Sequence, residues 1–309
     1  MILTVCPNPS IDCTMELHAL NVGRVNRIDN KIITYSGKAI NVAIGVRRLG
    51  GDCTVTGFMF DNDAKSFLHN LDKEGVVSRF VNNPGNVRTN YKIIDFRSMM
   101  TEINDKGEMV SEDKQRELFS LVFDLAEGCS VVVISGSLPQ GVSDEFYPKL
   151  VSVINKRAKV FVDTEGEKLV SAVREGVNLI KPNLAELEAI TKETLKTKAE
   201  MISACEKMID LGAEKVLLSL GAHGAILTNG RKSLFAKTAN VAVNSTVGAG
   251  DSMISAAAVM TEKGAEDEEI LRCAVAAGTA SITTPGTNLF YKDKYEEIYK
   301  KVKVEVIQG

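Results

Sequence analysis

The chain has 309 residues, 44% of them apolar and 25% charged, with a formal charge of −3. That length buries a large core, as one large domain with an appendage or as two domains, and the balanced charge excludes a global nucleic-acid or anionic-membrane footprint. No apolar run approaches membrane-spanning length, and the N-terminus lacks the basic-then-apolar layout of a signal peptide, so a cytoplasmic protein is expected.

The six cysteines (Cys6, Cys13, Cys53, Cys129, Cys205 and Cys273) form no C-x-x-C pair, and His18, His69 and His223 lie far apart. Buried reduced thiols are expected rather than a disulfide frame, a zinc site or a Ser–His triad.

In chain order, Ile2–Cys6 reads as a strand. Asp12 follows in Pro7-Asn8-Pro9-Ser10-Ile11-Asp12, either as a turn residue or as an acceptor for sugar hydroxyls past a strand end. Residues 12–35 and 88–110 carry β-prone segments, Asn30–Tyr35 and Thr89–Phe96, without long helices between. They suit a small separate sheet acting as a lid, or an antiparallel extension of the main sheet.

Between them, Ser36-Gly37-Lys38-Ala39-Ile40-Asn41 opens the helix Ala39–Leu49. Gly37 permits close approach, Lys38 carries charge, and Asn41 offers a donor and an acceptor. The spacing is not that of a Walker A loop, and there is no G-x-G-x-x-G. A helix over Ala64–Glu74 comes next. Arg88 enters the second β-prone segment and suits a bidentate grip on phosphate, although a lone arginine is usually just solvated.

Helices over Asp113–Ala126 and Asp144–Asn155 flank the strand Val131–Ser135. Behind that strand comes Gly136-Ser137-Leu138-Pro139-Gln140-Gly141, a plain turn or a ligand loop in which Ser137 bonds a hydroxyl or phosphate. Lys159–Asp163 and Val177–Ile180 are further strands. The second leads into Lys181-Pro182-Asn183-Leu184-Ala185-Glu186 and the helix Asn183–Thr191. Asn183 and Glu186 form an ordinary N-cap with an acidic first turn, or an outer-shell anchor for hydrated magnesium.

The helix Lys198–Leu211 precedes the strand Val216–Leu220. That strand ends in Ser219-Leu220-Gly221-Ala222-His223-Gly224, a hairpin turn or a close backbone contact with a nucleotide. Helices over Asp267–Thr283 and Lys294–Lys301 finish the chain. Apolar strands alternating with helices predict an α/β fold whose parallel sheet is covered on both faces. Such sheets bind ligands at the carboxyl ends of their strands.

The most informative stretch is Asn244-Ser-Thr-Val-Gly-Ala-Gly-Asp-Ser-Met253, which opens the helix Ala249–Lys263. Gly248 and Gly250 allow a sharp turn, and the free N–H groups of the helix N-terminus suit a phosphate. Asp251 either caps that turn or accepts a proton from a hydroxyl attacking phosphorus.

Taken together, these phrases resemble the ribokinase-like PfkB carbohydrate kinase family. The matching residues are Asn8-Pro9-Ser10-Ile11-Asp12, Gly37-Lys38 with Asn41-Val42-Ala43, Ser135-Gly136-Ser137-Leu138-Pro139, Lys181-Pro182-Asn183 with Glu186-Leu187, and Val247-Gly248-Ala249-Gly250-Asp251. Gly278-Thr279-Ala280 also fits. The Asn-Pro-Ser-Ile-Asp opening and the Gly-Ser-Leu-Pro loop point to the branch that contains 1-phosphofructokinase and tagatose-6-phosphate kinase.

The resemblance implies a ribokinase-like three-layer α/β/α fold over residues 1–309, with a mostly parallel central sheet and a small β-sheet lid from about 12–35 and 88–110. It implies ATP and Mg2+ as cofactors and a small sugar phosphate as partner; the charge balance points to no nucleic acid or membrane, and an exposed lid face suits a homodimer. Asp251 would be the catalytic base, and the N–H groups of Gly248, Ala249 and Gly250 the anion hole. Asp12, Gly37, Lys38, Asn41 and Ser137 would hold the sugar. Arg88, with Lys38, would clasp its phosphate.

Lys181, Asn183, Ser219, Gly221 and Gly224 would line the nucleotide site, and Asn183 and Glu186 would meet the metal through water. The expected activity is ATP-dependent phosphorylation of a ketohexose monophosphate, fructose 1-phosphate or tagatose 6-phosphate, to the bisphosphate. The competing readings are a kinase for an unphosphorylated sugar or nucleoside, and a non-catalytic sugar-phosphate binding protein. Ser36 and Ala39 replace family glycines and add a hydroxymethyl and a methyl group beside the expected sugar.

Overall fold

The computed structural model describes residues 1–97, 99–284 and 289–308. The chain begins β1 (Ile2–Cys6), β2 (Ser10–Glu16), β3 (Asn30–Ser36), α1 (Lys38–Arg48), β4 (Cys53–Phe60), α2 (Asp61–Lys73) and β5 (Val77–Asn83). There follow β6 (Arg88–Ile94), β7 (Met100–Asn104), α3 (Glu112–Ala126), β8 (Val131–Ser135), α4 (Phe146–Ile154), β9 (Lys159–Asp163) and α5 (Gly166–Arg174). Then come β10 (Leu179–Ile180), α6 (Leu184–Thr191), α7 (Lys198–Leu211), β11 (Val216–Ser219), β12 (Ala225–Thr228) and β13 (Ser233–Ala236). The last elements are α8 (Ala249–Glu262), α9 (Asp267–Ser281), α10 (Lys292–Tyr299) and β14 (Val304–Gln308).

Among the described residues ten strands form one sheet in the order β14-β13-β12-β11-β10-β9-β8-β1-β4-β5. From β5 to β11 every neighbouring pair is parallel; β12, β13 and β14 add an antiparallel margin. β1, β4 and β8 are buried along their whole length. Only a sheet covered on both faces buries both alternating sets of side chains. Helices α1, α8, α9 and α10 pack against one another on one side, and α3, α4, α5, α6 and α7 on the other. The expected three layers are therefore present. All six cysteines are buried and unbridged. Among the described residues no helix is long and apolar enough to cross a membrane.

Several elements escape a reading by apolar runs. β4 is as apolar as β1, but it directly abuts α2 with no turn residue to mark its end. β12 and β13 have four residues each, too short to show a period. Their turn did carry a signal, Asn229-Gly230, with Gly230 at φ +79°.

The segments expected to form a small sheet do so separately, in the order β3-β2-β6-β7, and are not an extension of the large one. Their span, Ser10–Ser36 and Arg88–Asn104, is close to that expected. Alternation along β2 gives this sheet two faces of opposite character. Ser10 and Asp12 look into the cavity at the carboxyl ends of the large sheet. Cys13, on the other face, lies in register with Ile33 and Tyr91, and Tyr91 with Ile103.

Candidate active site

At the start of α8, Gly248 holds the N-cap position at φ +79°, the left-handed region, and a side chain there would press on Leu289 at 2.8 Å. A Cβ on Gly250 would stand 2.9 Å from the Lys181 Nζ, so glycine lets a lysine ammonium approach the helix backbone. Asp251 lies in the first turn with 7% of its surface exposed. Its carboxylate accepts a hydrogen bond from the Asn41 Nδ2 of α1 at 2.8 Å, and no side chain caps the helix. Burial pushes the carboxyl up to about 6, helped by the charge of Asp163 and opposed by Asn41, Lys38 and Lys181.

Two lysines approach the same place. Lys181, just past β10, is buried with its Nζ 3.3 Å from the Asp163 Oδ1. Lys38, at the start of α1, lies 3.7 Å from the Asp163 Oδ2. Asp163, Asp251 and Glu186 together raise the Lys38 ammonium above its ordinary value. Lys38 therefore sits among the groups beside α8, in the same cavity wall as Arg88. The Asp163 carboxyl was not singled out from sequence. The available signal was its place as a charged residue ending an apolar strand on the ligand side of the sheet.

The small sheet supplies a second polar cluster. Asp12 Oδ1 accepts from Ser10 Oγ at 3.1 Å and Asn90 Nδ2 at 3.1 Å, and its Oδ2 from Lys92 Nζ at 2.9 Å. A carboxylate has about four lone-pair sites, so roughly one stays open to a ligand hydroxyl. Asn90 and Lys92 were missed because alternation along β6, which sends them to the cavity side, had not been combined with the register to β2. Arg88 is half-buried and donates to the carbonyls of Asn8 at 3.3 Å, Pro9 at 3.4 Å and Asp105 at 3.3 Å. Carbonyls hold the guanidinium in place without neutralising its charge.

Asn183 and Glu186 form a capping box: Glu186 N donates to Asn183 Oδ1 at 2.8 Å, and Asn183 N to Glu186 Oε2 at 2.9 Å. The ordinary capping role is thus present, and both residues still line the cavity. Gly221 and Gly224 lie in the β11–β12 hairpin, so the turn reading and a place in the cavity wall hold together.

One cavity of about 550 Å3 joins these clusters. Its wall includes Asp12, Gly37, Lys38, Asn41, Arg88, Lys181, Asn183, Glu186, Ser219, Gly221, Gly224 and the turn Gly248–Asp251. Ser137 is not part of that wall. It is exposed, and its Oγ accepts a hydrogen bond from Asn8 Nδ2 at 3.4 Å, because the loop after β8 turns its side chain toward the β1–β2 connection. Ser36 does line the cavity and donates to Asn41 Oδ1 at 3.4 Å. Ala39 is packed in the core instead, so only one of the two departures from glycine faces the cavity.

The chain is similar along nearly its whole length to known proteins. The chain is 33% identical over 307 residues to a 1-phosphofructokinase of Haloferax volcanii, covering 99% of this chain and 98% of that protein. It is 32% identical over 288 residues to a D-tagatose-1-phosphate kinase of Bacillus licheniformis, covering 93% and 94%. The crystal structure of phosphofructokinase-2 from Escherichia coli in complex with substrates and products superimposes with a TM-score of 0.92 at 30% identity, over 97% of this chain and 98% of that one. Residues 8–294 match the model of the pfkB family carbohydrate kinases, and the chain belongs to that family.

Proposed function

We propose that this protein transfers the terminal phosphoryl group of ATP to a free hydroxyl of a ketohexose monophosphate, fructose 1-phosphate or tagatose 6-phosphate, giving the bisphosphate. The observation that carries this reading is Asp251. It is a buried carboxylate at a helix N-terminus, with its proton affinity raised to about 6, in the same cavity as Asp12 and Arg88. A general base works best with a proton affinity near the working pH.

On this reading Asn41 orients the carboxylate toward the attacking hydroxyl, and Asp251 takes the proton. The N–H groups of the Gly248–Asp251 turn receive the migrating phosphoryl oxygens. Asp12 and Asn41 orient the sugar, and Arg88 faces the phosphate it already carries. Lys181, Asn183, Ser219, Gly221 and Gly224 form the nucleotide side of the wall.

The hard oxygen donors of Asn183 and Glu186 fit a hydrated magnesium ion, because the capping box engages only one of the two Glu186 oxygens. When bound, magnesium neutralises phosphate oxygens. The small sheet serves as a lid that keeps water from competing with the sugar.

Coupled ATP turnover with fructose 1-phosphate, tagatose 6-phosphate, fructose 6-phosphate and the unphosphorylated ketoses, assayed side by side, tests the proposal. Turnover is expected with a ketohexose monophosphate and to be at least about 100-fold weaker with the free ketoses, given the worth of charge-assisted bonds to phosphate. Equal rates with free ketoses would overturn it.

The outer face of the lid suits a second copy of the chain. Ile33 is 50% exposed, Tyr91 41% and Ile103 56%, as neighbours in one cross-strand row. The natural chain is therefore expected to run as a dimer in light-scattering-coupled gel filtration, and the Tyr91→Asp/Ile103→Asp variant as a monomer. A natural chain that is monomeric at micromolar concentration removes this part of the proposal.

A further inference from the structure

Asp163 ends β9 with 2% of its surface exposed, and the transfer reading above gives it no task. It is held from three sides. Lys181 Nζ lies at 3.3 Å from Oδ1, Lys38 Nζ at 3.7 Å from Oδ2, and Ser135 Oγ donates to Oδ2 at 3.2 Å. A buried carboxylate that stays charged needs a partner, and this one is paired twice. The two ammonium groups outnumber the carboxylate that holds them, and the protonation of Asp251 sets the balance of the cluster. That cluster lies beside the turn that starts α8, where Lys181 Nζ already abuts Gly250.

We propose that Asp163 is a positioning residue for phosphoryl transfer, bracing Lys38 and Lys181 so that both ammonium groups flank the Gly248–Asp251 turn where the phosphoryl group passes. Lysine is a flexible point charge on a four-carbon stem, and a fixed carboxylate between two such stems removes that freedom before the nucleotide arrives.

The brace also acts on Asp251. The charged groups that face Asp251 are Asp163 from β9, Lys38 from α1 and Lys181 from the end of β10, with the neutral Asn41 bonded to it. The first favours its protonated form; the lysines and Asn41 favour the carboxylate. This second effect rests on Asp251 being the proton acceptor; the bracing of the lysines does not.

The test compares Asp163→Asn and Lys38→Met with the natural full-length chain. Two readouts are taken: equilibrium affinity for ATP against adenosine, and the acid limb of kcat/KM. Both variants should weaken ATP by about 10-fold or more while adenosine stays within about two-fold, because only ATP carries the phosphates that the lysines meet. The acid limb should move in opposite directions, to lower pH in Asp163→Asn and to higher pH in Lys38→Met. A collapsed site would lose both nucleotides together.

Retained ATP affinity in folded Asp163→Asn overturns the bracing. A limb that stays in place, or moves the same way in both variants, overturns the electrostatic link. Should Asp163→Asn fail to fold by circular dichroism, Asp163→Ser takes its place in both readouts, since Lys38→Met removes an ammonium outright and reads only that lysine's own contact with ATP. Failure of the base assignment would be recognised separately, by turnover that survives Asp251→Asn while the split between ATP and adenosine persists.

Discussion

Replacing Asp251 by asparagine is expected to lower kcat by roughly 10²–10⁴-fold, the range for removal of a general base. Asparagine has the same shape, and its amide oxygen can still accept the hydrogen bond that Asn41 gives to the carboxylate at 2.8 Å. The variant therefore keeps the site's geometry and loses only a group able to take a proton. KM for ATP and for the sugar phosphate should stay within a few-fold.

In the natural enzyme kcat/KM should fall below about pH 6, where Asp251 becomes protonated. The limb should be absent from the residual activity of Asp251→Asn. Near-normal turnover in the variant would refute the assignment.

The same substitution has an expected effect on stability, with the opposite sign. The carboxyl is raised in the folded chain from 3.8 to about 6. Folding is thus penalised wherever the unfolded chain ionises and the folded one resists. The penalty is absent below the unfolded value, grows between the two, and is constant above about pH 6, at on the order of 3 kcal/mol. Asp251→Asn should accordingly melt at a higher temperature than the natural chain at neutral pH, and the two should converge near pH 4. A variant that is more stable and far less active locates the loss in chemistry, not in folding.

How far the sequence discloses this site depends on the range of each interaction. The turn Gly248–Asp251 was legible because its chemistry is local: glycines, a carboxylate and a helix start lie within four residues. Asp12 and Arg88 were legible as candidates, but their setting was not. It depends on the register that places Asp12 beside Asn90, one strand away and 78 residues distant in the chain. Lys38 was legible as a candidate, but its setting was not, because a flexible side chain follows its strongest partner. That partner, Asp163, lies on a strand whose neighbours the sequence does not state. Ser137 shows the reverse case: its motif is local, but the rotation of the loop after β8 sends the hydroxyl to Asn8. The large sheet was legible at β1 and from β8 to β11, where apolar strands alternate with helices and end in turn residues, but not at β4, which runs straight into α2. Nor was it legible at the β12–β14 margin, where short antiparallel strands lean on tertiary contacts.

Replacing Arg88 by alanine is expected to raise KM for the sugar phosphate by about 10- to 100-fold. That range corresponds to the 1.5–3 kcal/mol of a hydrogen bond to a charged group, at 1.4 kcal/mol per decade. KM for ATP should change by less than about two-fold, because the residues proposed for the nucleotide belong to the ends of β10 and β11 and the start of α8, not to the small sheet. Arg88 also ties Asn8, Pro9 and Asp105 through their carbonyls, so alanine loosens the base of that sheet as well. Arg88→Lys separates the two contributions. It keeps a positive charge but loses the planar fork that meets phosphate with two parallel bonds while holding backbone carbonyls with the remaining donors. If the charge matters most, lysine should recover much of the lost affinity for the sugar phosphate. If the carbonyl ties matter most, lysine should behave like alanine, and KM for both substrates should rise together as the small sheet loses its seat. Equal increases for ATP and sugar phosphate in Arg88→Ala would assign the arginine to the architecture of the small sheet and leave the phosphate of the sugar to another cation.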